Sequence, residues 1–300
     1  MASSSSRHSL RNFLLIALLC AIWGSTWLVI KQSLADLPPL TSAAARMTVA
    51  ALVMIAIAKP MQRLEGGGPP PLWLSTVLGV CQFTASFAII YWCERLLPSG
   101  LSAVLWAVYP LLIALGGHFF LRNEKLVLTE WLGFLLGFGG IYWLFHTDVQ
   151  QLGPEGVPTA LVLLISPVVV AASTLVIKKH GAKVASGMLN RNALCIGTVL
   201  LWALVFGFER EAEVRWTGRA VFAVGYLALL GTVTTFGIYF WLMRTVEAWR
   251  MSLISYVTPA LSLLLQVGFE DAPVHGHTVI GLGAILAGTG LAAVRRGKKS

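Results

Sequence analysis

Charge is what this sequence has least of. Asp, Glu, Lys and Arg together make up 12% of its 300 residues, about half the share of a soluble domain. So little charge cannot keep a whole surface in water, and most of that surface is expected to face lipid. Acids are scarcer than bases, 13 against 22, and none lies in the middle of an apolar run. Glu94, Glu124, Glu130, Glu247 and Glu270 all fall near run ends. Cysteine is equally sparse. Cys20, Cys81, Cys93 and Cys195 lie in apolar stretches without metal-ligand spacing, so they read as small packing residues and no metal is expected. No phosphate-binding glycine loop, His-Glu-x-x-His or nucleophile elbow occurs, and catalytic chemistry has no carrier. Nor is any cofactor expected. The net charge of +9 does not point to nucleic acid, because the basic residues are spread among loops and not gathered with aromatics on one segment.

Hydrophobic residues are what is there, at 57%. They form ten runs bounded by charge, Pro or Gly, over 12–34, 40–59, 72–93, 99–120, 126–146, 157–179, 187–207, 217–243, 247–269 and 276–294. Each is near the ~20 residues that cross a bilayer as a helix. The runs are continuous, which excludes the alternation of a β-barrel strand, and only helices and closed barrels satisfy a backbone in lipid. The expected fold is therefore all-α and polytopic, with ten transmembrane helices, the bilayer as its medium and no room for a soluble domain. The polar, Ser-rich start leads into a run ending at Lys31-Gln32 without a small-residue cleavage site, so it reads as a retained first helix. Turn signals punctuate the runs at Leu37-Pro38-Pro39, Gly153-Pro154-Glu155-Gly156 and Gly66 to Pro71. The last of these is the most linker-like.

Lys and Arg give an orientation. With the N-terminus in the cytoplasm, most of the basic residues fall on that side, from Arg7 to the Arg295-Arg296-Gly297-Lys298-Lys299 tail. Lys31, Arg46, Arg95, Arg210, Arg215 and Arg219 fall on the other. The asymmetry favours both termini cytoplasmic and an even number of spans.

A repeat runs through the chain at an offset of about 148 residues. Ser25, Thr26 and Lys31 align with Ser173, Thr174 and Lys179. Trp92, Arg95, Val108, Pro110 and Phe120 align with Trp241, Arg244, Val257, Pro259 and Phe269. Gly133 and Gly140 align with Gly281 and Gly288, and Arg46 more loosely with Arg191. The halves are 1–150 and 151–300. Five spans is an odd number, so the second half enters the membrane inverted, an arrangement that allows two halves to exchange conformations around a shared site.

Polar groups within a span are costly unless satisfied, so each is a candidate site residue. Helices one and six offer Trp23, Ser25, Thr26, Ser173 and Thr174. The hydroxyls serve either a solute or helix packing, and Trp23 faces either a cavity or lipid. Gln82 and Ser86 share one face of helix three and suit an uncharged or zwitterionic polar solute, or an interhelical hydrogen bond. Trp106 and Tyr109 share a face of helix four beside Pro110. Ser255, Tyr256, Thr258 and Pro259 are their counterparts in helix nine. Pro110 and Pro259 stand at equivalent points and are expected to kink both helices, as hinges or as fixed bends. Thr234, Thr235 and Tyr239 add a polar lining from helix eight. Arg46 is either a carboxylate ligand or a snorkelling cation. His118 is either a proton relay or an interfacial residue, and Gln266 reads as interfacial.

These residues resemble the drug/metabolite transporter superfamily, in its EamA-type group of ten helices in two repeats. The resemblance rests on Trp23-Gly24-Ser25-Thr26, Arg46 after Pro38-Pro39, Leu97-Pro98-Ser99-Gly100, Pro110, Glu124 and Gly133/Gly140. Echoes follow at Ser173, Arg191, Pro259, Glu270, Gly281 and Gly288. The second half departs from the pattern with Ala171 and Ala172 before Ser173, and with Glu247 where the first has Pro98. The resemblance implies a bacterial inner-membrane permease, commonly an exporter of small metabolites, amino acids among them. A monomer and a homodimer both fit it. Without a mid-span carboxylate, proton coupling is not indicated. An uncoupled facilitator or exchanger of the same fold stays open, as does a sensor or integral membrane enzyme. The lack of an intramembrane Lys/Arg cluster argues against nucleotide-sugar substrates.

Overall fold

The computed structural model describes residues 2–121, 126–245, 248–270 and 274–293. Ten helices follow the ten apolar runs. They are α1 (Ala2–Ser33), α2 (Pro39–Glu65), α3 (Leu72–Cys93), α4 (Ser99–Phe120), α5 (Leu128–Thr147), α6 (Gly156–His180) and α7 (Ser186–Phe208). Then come α8, which begins as Gly218–Ala228 and continues through Thr235–Thr245, α9 (Ala248–Phe269) and α10 (Gly276–Ala293). Among the described residues, seven helices are long and apolar enough to cross a membrane, and Val257–Phe269 and Gly276–Leu291 are shorter apolar stretches. Leu52, Leu135, Leu161, Val199 and Phe206 stand exposed on the outside of the bundle, as a lipid-facing surface requires.

Helices α2 and α7, and α5 and α10, are equivalent pairs of the two halves that pack against each other in opposite directions. In α5 and α10 the four matched glycines form the contact. A Cβ on Gly140 would meet the Gly281 carbonyl oxygen at 2.8 Å, and one on Gly288 would strike the backbone of Gly133 and Gly137. Small residues let backbones approach where lipid supplies no hydrophobic drive between helices. Helices α2 and α7 are tied by their ends. Glu209, just past α7, accepts from the Leu40 and Thr41 N–H groups and the Thr41 hydroxyl at 2.8–2.9 Å. Glu65 ends α2 and accepts from the Ser186 hydroxyl (2.5 Å) and the Gly187 N–H (3.4 Å). Each helix thus places a carboxylate on the positive N-terminus of its antiparallel partner.

Turns cross-link both ends of the bundle. At the α1–α2 end, the Arg215 N–H donates to the Asp36 carbonyl. Hydrogen bonds from Arg219 and Thr217 hold the Asp36 carboxyl below the usual carboxylate range. At the opposite end, Gly66 to Pro71 is no free linker. The Gly68 N–H donates to the Lys183 carbonyl (2.8 Å), and the Ala185 N–H returns to the Gly68 carbonyl (2.9 Å). Gly67 has φ +90°, and a Cβ there would lie 2.8 Å from the Ala185 nitrogen, so both conformation and space require glycine.

Two departures from regular helix matter for the site. Gly79–Ser86 in α3 and Leu229–Thr234 in α8 are π-helical, and they fall at equivalent points of the two halves. In each, a threonine hydroxyl reaches a carbonyl five residues back, Thr84 to Gly79 (2.9 Å) and Thr232 to Leu227 (3.0 Å). The prolines, by contrast, are not matched. α4 is interrupted at Ala107-Val108 and restarts at Tyr109 with Pro110 in its first turn. α9 runs continuously through Pro259. A proline in a first turn leaves no helical hydrogen bond unmade, whereas one inside a helix removes a bond that the flanking turns must absorb.

Candidate functional site

The interior holds two aromatic and hydroxyl clusters, one from each side of the pseudo-symmetric arrangement. In the first, Trp106 stacks on Tyr109 (centroids 4.9 Å apart), with Trp27 6.4 Å from Trp106. The Trp106 Nε1–H donates to Ser166 Oγ (3.1 Å), Ser86 and Ser166 share a bond of 2.8 Å, and Tyr109 shares one of 3.0 Å with Thr174. This joins α3, α4 and α6. In the second, Trp23 packs on Tyr239 (5.5 Å) and Phe236 (6.3 Å), and Ser25 shares a bond of 2.6 Å with Tyr226. This joins α1 and α8. Phe83, Phe87 and Tyr91 extend the aromatic chain along α3 from Phe236.

Of the residues singled out from sequence, Ser86, Trp106, Tyr109 and Thr174 come together. Trp23 and Tyr239 come together, so Trp23 packs inward and not solely on lipid. Ser25 reaches Tyr226 and also bonds the Ile22 carbonyl. Thr26 and Ser173 bond the carbonyls three residues back, at Trp23 and Val170, so they are satisfied within their own helices. Thr235 is buried and bonds the Thr232 carbonyl. Gln82 is half-buried in the π-helical stretch of α3. The Thr258 hydroxyl is buried without a hydrogen-bond partner. The Tyr256 side chain lies outside the described residues, as do Glu124 and Glu247.

Arg46 departs from the sequence expectation most. It is 3% exposed and does not snorkel. Its Nε donates to Thr232 (3.1 Å), its other nitrogens to Tyr91 and the Gly231 carbonyl (3.4 and 3.3 Å), and its guanidinium lies 4.7 Å from the Phe87 ring centre. The π-helical turn of α8 makes this possible, because it presents both Thr232 and the Gly231 carbonyl to α2. Gln266 is likewise buried, not interfacial, and accepts from the Gly100 N–H (2.9 Å). His118 accepts from the Leu126 N–H through Nδ1 (2.8 Å) and packs against Trp131, a structural role at the α4–α5 connection. Sequence reasoning missed Trp27, Ser166, Tyr226 and Thr232. Ser166 precedes Pro167 in α6 and was legible as a mid-span hydroxyl. The others owe their place to the π turns or to packing between halves.

Two cavities lie within the bundle, the smaller one against Phe83 and Phe236. One of about 20 Å³, room for a water molecule, is lined by Met54, Phe83, Asn190, Thr232 and Phe236 among others. One of about 210 Å³ opens at the α1–α2 end between Pro98, Leu101, Asp148, Leu263, Gln266 and His275. Among the described residues no group of His, Cys, Asp and Glu is arranged to hold a metal ion.

The comparisons with known proteins agree with this architecture. A protein of known crystal structure shares the fold with a TM-score of 0.65, over 97% of this chain and 99% of its own, at 21% identity. The uncharacterized transporter YoaV of Bacillus subtilis is 24% identical, over 90% of this chain and 91% of its own. The uncharacterized inner membrane transporter YedA of Escherichia coli K12 is 28% identical, over 88% of this chain and 85% of its own. Residues 10–146 and 157–294 each match the EamA-like transporter family. The chain belongs to that family, as a multi-pass membrane transporter of small molecules built from two EamA repeats.

Proposed function

We propose that the protein is an alternating-access exporter of small polar or amphipathic metabolites, with amino acids as the leading class. In this reading it sits in a bacterial inner membrane with both termini in the cytoplasm. Halves 1–150 and 151–300 rock about a site between α1, α3, α4, α6, α8 and α9. What supports the reading is the pair of clusters drawn from both halves, with stacked aromatics beside hydroxyls at Trp106, Tyr109, Thr174, Trp23 and Tyr239. Aromatic faces hold an apolar side chain while hydroxyls orient a polar head. Gln82 and Thr258 offer further polar groups to a solute.

Solute counterflow into proteoliposomes, screened with the twenty radiolabelled amino acids, tests the proposal. Tyr109→Ala is expected to raise the half-saturation concentration about tenfold, the ~1.4 kcal/mol that a stacked, hydrogen-bonding ring contributes, with expression unchanged. Unchanged affinity with lost expression would make Tyr109 a packing residue. Pro110→Ala and Pro259→Ala are both expected to slow turnover several-fold, since the break of α4 before Tyr109 and the helical bond missing at Pro259 in α9 are where each helix can flex. Wild-type rates in both variants would remove the hinge role.

A further inference from the structure

Glu94 follows the last residue of α3, yet it is 0% exposed, and among the described residues neither carboxylate oxygen has a hydrogen-bond partner. Charged groups from several elements face it. Lys31 of α1 acts on it electrostatically, but its ammonium is spent on the backbone carbonyls of Glu94 (2.5 Å), Arg95 (3.3 Å) and Leu97 (3.0 Å), not on the carboxylate. Arg46 of α2 acts on Glu94 electrostatically, while its own donors go to Thr232, Tyr91 and Gly231. Glu270, past the end of α9, is a like charge within electrostatic range. One of its oxygens accepts from the Ser99 N–H (3.3 Å) and the other is buried without a partner. Tyr91 and Cys93 are the titratable neighbours on α3 itself, and the Cys93 thiol donates to the Thr159 carbonyl.

An ionised carboxylate in this state carries the cost of desolvation with no hydrogen bond to offset it, only the attraction of Lys31 and Arg46. Three things relieve that cost: a cation, water or a proton. At 0% exposure Glu94 is reached by neither water nor a hydrated cation, whereas a proton needs no room. We propose that Glu94 is a proton-binding gate residue, neutral while the α1–α2 end of the bundle is shut and ionised when that end opens to water. Opening releases the proton to the water at that end, and shutting takes it back from the same side. Ionised Glu94 then repels Glu270 across the joint between the first half and α9, and this holds the two apart until a proton returns. The device sets the rate of shutting without carrying protons across the membrane. It rests on the alternating-access reading above.

Two measurements separate the gate from that reading. Infrared difference spectra of the purified protein in lipid should show the C=O stretch of a protonated carboxyl in wild type and Glu94→Asp, lost in Glu94→Gln. Retention of the whole band in Glu94→Gln would overturn the proposal, as would its absence from wild type. In proteoliposomes, amino-acid counterflow by wild type and Glu94→Asp should slow as pH rises on the α1–α2 side, up to about tenfold per pH unit for one titrating group, because shutting waits for the proton to return. Glu94→Gln should be insensitive to pH on that side. An unaltered pH response in Glu94→Gln would also overturn the gate. Should wild type move none of the amino acids, the transport reading fails for that class, and the infrared band alone decides the protonation of Glu94.

Discussion

Gly288→Ala is expected to remove most of the folded protein, and Gly283→Ala, one turn away, to leave it intact. A Cβ at residue 288 would strike the Gly133 carbonyl oxygen and lie 2.7 Å from the Gly137 nitrogen, whereas nothing lies within 4 Å of one at residue 283. The neighbours at 288 are backbone atoms of α5, which no rotamer change can move. Overpacking by a methyl group costs about 1–3 kcal/mol when side chains yield, and a helix-to-helix backbone contact belongs at or beyond the top of that range. At residue 283 the alanine gains up to ~1 kcal/mol of helix propensity. Fluorescence-detected gel filtration and thermal melting in detergent read the difference. Equal stability in the two variants would show that α5 and α10 are not held at the contact described above.

Glu209→Ala is expected to lower the apparent melting temperature by about 6–12 °C. Three donors at the start of α2 lose their acceptor together, and Glu209 is only 8% exposed, so water replaces it poorly. Charge-assisted bonds are worth about 1.5–3 kcal/mol each, less than additively when they share one carboxylate. The helix N-terminus adds up to ~2 kcal/mol. A net loss of about 3 kcal/mol at roughly 2–4 °C per kcal/mol gives the expected shift. Glu209→Gln should fall between wild type and alanine, because an amide oxygen still accepts but carries no charge. Melting of Glu209→Ala at the wild-type temperature would mean that the α2–α7 tie contributes nothing to stability.

The ten apolar runs were readable because a bilayer imposes length and composition directly, and each produced one helix. The matched glycines were readable as a repeat. Their contact was not, since the repeat tells that Gly140 resembles Gly288 but not that Gly140 lies on Gly281. Position along a run proved a poor guide to burial. Arg46 and Glu94 were placed near helix ends, where a charge ordinarily finds water. Both are buried because turns and ends from the opposite half close over them. The π-helical turns of α3 and α8 explain much of the rest. One extra residue in a turn re-aims Thr232 and the Gly231 carbonyl toward Arg46, and no apolar periodicity signals it. Among the aromatics, Trp106 and Tyr109 were legible from their spacing on one face. Trp27 was not, because its partner lies on another helix.

The central claim is that solute passes through a lining shared by the two halves. Counterflow across proteoliposomes, comparing Tyr109→Ala in the first half with Tyr239→Ala in the second, tests it most directly. The account predicts saturable exchange of at least one amino acid by wild type, with affinity weakened in both variants. Exchange by wild type that neither substitution alters would contradict it, because the solute path would then lie outside the two clusters.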